Sequence, residues 1–74
     1  MNIRIEYCAK WNYEPRAVSL TEKLLNSGKQ RIKSLELSPF GDGRFEVYKN
    51  GQRIYSKLET GTFPDETVIV NQIL

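Results

Sequence analysis

The chain has 74 residues, 39% of them apolar, with eleven basic and nine acidic side chains and a net charge of +2. That length sets one small domain over 1–74, burying only about 60% of its unfolded surface, and the composition is too apolar for a disordered chain. Histidine is absent and cysteine occurs once, at Cys8, which excludes Cys-His and Ser-His catalysis, most zinc sites and any internal disulfide, and points to a reducing, cytoplasmic setting.

Ile3, Ile5 and Tyr7 alternate with Arg4 and Glu6, the period of a half-buried strand. A polar loop follows, and Glu14-Pro15 opens a helix, proline being suited to a first turn whose N–H groups have no partner. Ala17, Leu20, Leu24 and Leu25 recur at helical spacing, with Val18 at the margin. Asn26-Ser27-Gly28 closes this helix, with Gly28 expected in the left-handed cap. A second strand is predicted over 31–37, with Lys33, Leu35 and Leu37 on one face and Ile32, Ser34 and Glu36 on the other.

Ser38-Pro39-Phe40-Gly41-Asp42-Gly43 reads as a turn-rich connection. Residues 44–49 form a third strand, and Asn50-Gly51 is a hairpin turn of type I′. The pairing it imposes sets Lys49 opposite Gln52, Tyr48 opposite Arg53 and Val47 opposite Ile54. Phe45, Val47 and Ile54 then face the core, and Glu46, Tyr48, Arg53 and Tyr55 face away. Thr60 to Glu66 reads as a turn with proline and two acids opening a last helix, although Thr67-Val68-Ile69-Val70 is β-branched and by propensity favours a strand.

The order β-α-β-β-β-α allows a right-handed parallel crossover followed by a hairpin pairing antiparallel with the first strand. The expected fold is therefore α/β, with a four-stranded mixed sheet and a minimal thioredoxin-like core. In an open sheet of this kind chemistry gathers at the carboxyl ends of the parallel strands, and Cys8 lies there. Three residues on, where a dithiol motif would carry its second cysteine, stands Trp11.

Several segments together resemble one family. Ile5-Glu6-Tyr7-Cys8, Trp11, Tyr13 and Pro15-Arg16-Ala17 resemble the Cys-x-x-Cys-x-aromatic-x-Pro-Arg-Ala opening of bacterial selenoprotein W-like (Rdx family) proteins. Gly43-Arg44-Phe45-Glu46-Val47 and Gly51-Gln52-Arg53-Ile54-Tyr55-Ser56-Lys57 resemble its Gly-x-Phe-Glu-Val and Gly-x-x-Ile-x-Ser-Lys strands. Gly61-Thr62-Phe63-Pro64 resembles its Gly-x-Phe-Pro turn. The resemblance implies a thioredoxin-like fold and a thiol oxidoreductase role linked to glutathione, and it carries the first motif cysteine onto Cys8. The second position departs from the pattern, because Trp11 occupies it.

Without a resolving thiol, what remains is one-thiol chemistry: Cys8 attacks a disulfide and an external thiol such as glutathione resolves the product, or an oxidised Cys8 is capped by glutathione. Glutathione would be a co-substrate, and no bound cofactor or metal is expected. Lys10 and Arg16 are the cations placed to attract a thiolate, while a helix beginning at Pro15 leaves its dipole some distance from Cys8. Lys10, Trp11, Arg16 and Phe63 are the candidate contacts for a substrate or partner protein. Trp11 would wall a peptide or glutathione, or fill space between the loop and the first helix. Phe40 and Phe63 would converge near Cys8 or cover a small core.

The alternative is a degenerate redox domain that binds a protein partner without chemistry, with Cys8 a small buried hydrophobe. A face of Tyr48, Tyr55, Arg53 and Lys57 has the residue types for single-stranded nucleic acid, yet the basic residues form no stripe, so no nucleic-acid partner is expected. Met1-Asn2-Ile3-Arg4-Ile5 carries no secretory pattern and no apolar stretch approaches a membrane span, so no membrane partner is expected. The oligomeric state is not set by the sequence.

Overall fold

The computed structural model describes residues 1–74. Its elements are β1 (Asn2–Cys8), α1 (Glu14–Gly28), β2 (Ser34–Phe40), β3 (Phe45–Lys49), β4 (Gln52–Ser56), the single turn α2 (Lys57–Thr60) and α3 (Glu66–Ile73), with a 3₁₀ turn at Lys29–Arg31. The strands form one sheet in the order β2-β1-β3-β4. β1 runs parallel to β2 and antiparallel to β3, and β3 runs antiparallel to β4. The mixed sheet and the β-α-β-β-β-α order are thus as expected, with α2 added.

Both helices cover the same face. Ile3, Ile5, Phe45 and Val47 of the sheet pack with Ala17, Leu20 and Leu24 of α1 and Ile69 and Ile73 of α3 in one buried cluster. Each such large side chain contributes about 1.5–3 kcal/mol by leaving water. Leu25 and Val18 are instead exposed, at 45% and 47%, because one residue beyond Leu24 rotates about 100° off the apolar stripe. Lys23 Nζ and Ser19 Oγ both donate to Glu66 Oε1, at 2.6 and 3.1 Å, and tie α1 to α3. Asp65 caps α3 by accepting from the N–H groups of Thr67 and Val68, so capping and burial override the β propensity of 67–70.

Five expectations need correction. Gly28 is not the left-handed cap: its φ is −85°, and Lys29 takes the positive φ of 50°. A Cβ at Gly28 would stand 2.7 and 2.9 Å from the Ile32 side chain and 3.1 Å from that of Leu74, so both would have to shift to admit a larger residue. The 3₁₀ turn delays β2 to Ser34, and β2 then runs on through Ser38, Pro39 and Phe40, which were expected in a turn. As an edge strand, β2 tolerates a proline that cannot donate to a ladder on both sides.

The hairpin starts as expected, with Asn50 and Gly51 at φ 52° and 83° and Lys49 and Tyr48 opposite Gln52 and Arg53. A bulge then inserts Ile54, so Val47 opposes Tyr55 and Glu46 opposes Ser56. Tyr55 therefore joins the core side, where its hydroxyl donates to Thr62 O at 2.6 Å.

Replacing Gly28 by Ala is expected to cost about 1–3 kcal/mol through overpacking against Ile32 and Leu74. Gly41, where an added Cβ would meet nothing within 4 Å, is the control, and its Ala variant should change by less than about 0.5 kcal/mol. Urea midpoints of the two variants check this; equal midpoints would contradict the packing role of Gly28.

Candidate functional site

Strand parity puts Cys8 on the face of β1 that carries Arg4 and Glu6, opposite the helices. It is nevertheless 0% exposed. The cover comes from the turn that follows β1. Ala9 N–H extends the ladder to Phe40 O at 2.9 Å, Asn12 N–H donates to Ala9 O at 3.1 Å, and Tyr13 N–H returns to Cys8 O at 2.9 Å. Asn12 completes this turn at φ 61°. The Trp11 N–H is thereby brought over Cys8 and donates to its Sγ at 3.3 Å.

The Trp11 ring lies on Gly43, in the β2–β3 loop. A Cβ on Gly43 would stand 2.5 Å from ring atom Cζ3, and Gly43 itself has φ 83°. Close approach and backbone conformation both demand glycine here. Arg44 secures the loop: its guanidinium donates to both Asp42 oxygens and to Glu6 Oε1, the last at 2.8 Å, and stacks 3.9 Å from the Phe40 ring centroid. Hydrogen bonding to Arg44 holds the Asp42 carboxyl below its ordinary value, and the guanidinium is raised in turn. Phe40 pairs with Cys8 across β1 and β2, so Cys8 is flanked by Phe40, the Trp11 amide and the loop on which the Trp11 ring rests.

Of the candidate contacts, Trp11 touches the thiol through its backbone N–H, and its ring leads away from it. Trp11 is 58% exposed and meets Tyr13 edge-on at 6.1 Å, and Tyr13 meets Phe63 at 4.7 Å. Phe63 continues to Phe45 at 5.5 Å. Arg16 stacks 4.3 Å over the Phe63 centroid. Lys10 is exposed in the turn. Phe40 therefore neighbours Cys8, whereas Phe63 stands on the far side of Tyr13, and the expected convergence of the two is not formed. α1 begins at Glu14, one residue before Pro15, and its N-cap residue Tyr13 donates its N–H to Cys8 O at 2.9 Å. Gly43 and Arg44 are not site residues by sequence, the Gly41-Asp42-Gly43 turn being the available signal for them, and Lys57 figures there only in the disfavoured nucleic-acid face.

No cleft opens at the thiol. A cavity of about 10 Å³ is lined by Arg16, Leu20, Phe45, Phe63, Pro64 and Glu66, and a groove of about 300 Å³ lies between α1 and α3. Neither is lined by Cys8 or Trp11. No helix is long and apolar enough to cross a membrane.

With this geometry in view, the chain matches the family model described as "Rdx family" over residues 2–74. It is 32% identical to migration and invasion enhancer 1 from Bos taurus and from Mus musculus, in each case over 99% of this chain and 62% of the relative. The chain therefore spans less than two thirds of the length of those relatives. A selenoprotein W-related protein from Vibrio cholerae superposes with a TM-score of 0.92 at 32% identity, over 97% of this chain and 90% of that one. A protein from Bordetella parapertussis gives 0.92 at 25% identity, over 97% and 91%.

The Trp11–Gly43 contact yields a direct test. In Gly43→Ala the ring has no seat, the turn over Cys8 loosens, and alkylation of the native thiol by iodoacetamide is expected to accelerate by about tenfold, the effect of roughly 1.4 kcal/mol on local opening. Alkylation at the wild-type rate in a folded variant would show that the ring does not hold the turn closed.

Proposed function

This chain belongs to the Rdx family, whose thioredoxin-like members are redox-related, and on that footing we propose that it is a monothiol redox protein with Cys8 as nucleophile. The observation that carries the reading is the Trp11 N–H on Cys8 Sγ. The residue standing where a resolving thiol would stand contributes its backbone to the sulfur and offers no second sulfur. In the proposed cycle the Cys8 thiolate attacks a disulfide R–S–S–R, forming Cys8–S–S–R and releasing R–S⁻. An external thiolate, with glutathione as the natural candidate in a reducing cytoplasm, then attacks the Cys8–S–S–R bond, regenerates the Cys8 thiolate and leaves as a disulfide with R. Protein thiols are the alternative second reactant. Because Cys8 is 0% exposed, each exchange proceeds through opening of the Ala9–Asn12 turn.

That burial, with no cleft at the thiol, favours a second reading: a redox-derived domain that binds a protein partner through its exposed Trp11 and performs no chemistry. Incubation of the native protein with oxidised glutathione separates the two. The redox reading expects one glutathione adduct per chain by intact mass, removed by dithiothreitol and absent in Cys8→Ser. An adduct that forms only after denaturation leaves the binding module.

A further inference from the structure

We propose that Tyr13 and Phe63, with Arg16 and Lys57 beside them, form an anion-binding platform that receives a carboxylate of the compound exchanging with Cys8; its role, though not its binding, rests on the redox reading above. Three distant segments build it: Arg16 from the first turn of α1, Lys57 from the start of α2, and Phe63 from the link between α2 and α3. The Lys57 ammonium stands 5.2 Å from the centroids of both Tyr13 and Phe63, and the Arg16 guanidinium 4.3 Å from that of Phe63. Two cations thus share one ring.

Attraction to the ring offsets their mutual repulsion only in part. Arg4, Lys23, Arg44 and Arg53 each hold a carboxylate within 4.0 Å, whereas Arg16 and Lys57 hold none. Glu66, which lines the same small cavity as Arg16, is already bonded by Lys23 and Ser19. The donors of Arg16 and Lys57 are therefore free, and the positive end of α1 adds to their field. The platform lies beside the backbone of the thiol segment, since Tyr13 N–H donates to Cys8 O and the Trp11 ring borders Tyr13, and a bound compound reaches the sulfur, on the opposite face, when the Ala9–Asn12 turn opens. A thiol or disulfide compound carrying carboxylates fits this arrangement; a cationic one does not.

S-methylglutathione, which keeps the carboxylates but has no free thiol, tests binding whether or not Cys8 reacts. Titrated into the full chain, it is expected to shift the Tyr13 and Phe63 ring resonances saturably, with affinity weakening as salt is added. In the R16Q/K57Q double variant the affinity should fall by about tenfold or more. The absence of a saturable shift, an affinity indifferent to salt, or an unchanged affinity in the folded double variant overturns the platform. Exchange of Cys8 with dianionic dithiobis-nitrobenzoate and with dicationic cystamine, each rate taken relative to that of the R16Q/K57Q variant so that leaving-group reactivity cancels, completes the test. Exchange without preference for the dianion, and without S-methylglutathione binding, removes the platform and leaves the redox reading. Binding intact with an inert Cys8 removes the redox reading and leaves the platform.

Discussion

The position of β1 between a parallel and an antiparallel neighbour governs what its end can be. Both of its edges are hydrogen-bonded, to β2 and to β3, and Ile3 and Ile5 are locked beneath α1 and α3. The strand therefore cannot slip, because a one-residue shift would send every apolar side chain to the other face. Tyr7 is the last residue paired on both sides, and Cys8 is held only against Phe40 of β2. Beyond it the chain closes a short turn whose bonds run from Ala9 to Phe40, from Asn12 to Ala9 and from Tyr13 back to Cys8. The amide of Trp11 meets the sulfur as a consequence of that closure.

The helix-free face of the sheet is organised by charge rather than by apolar cover. Glu6 and Glu46 stand directly opposite each other on β1 and β3, and both are largely buried. Like charges in that relation are destabilising unless each is compensated. Arg4 and Arg44 compensate Glu6, while Ser56 Oγ at 2.6 Å, the Leu58 N–H and Arg53 compensate Glu46. The same Arg44 holds Asp42 and stacks on Phe40. The charge network therefore also positions the loop on which the Trp11 ring sits.

Elements specified by local pattern were legible in the chain: the alternation of β1, the proline-led start of α1, the Asn50-Gly51 turn and the acidic opening of α3. The bulge at Ile54 was not, because Ile54 and Tyr55 both suit a core position and alternation alone does not say which one is skipped. β2 was misplaced because an edge strand exposed on both faces leaves little periodic signal, and its proline looked like a terminator. At the site, the Cys8–Trp11 spacing could be read directly, whereas alternation assigned Cys8 a face but not its cover. The meeting of Arg16, Lys57 and Phe63 is a tertiary event among segments that carry no local mark of one another.

On the monothiol reading proposed for this chain, the buried Cys8 reaches disulfides through local opening of the turn that holds Trp11. The most direct measurement is the rate of Cys8 labelling in the native protein as urea is raised below the unfolding transition. Opening of residues 9–13 exposes little surface, so the account predicts a labelling rate nearly independent of urea in this range. A rate that rises from the lowest urea with the full slope of global unfolding would mean that Cys8 is reached only when the whole fold is lost, and would contradict it.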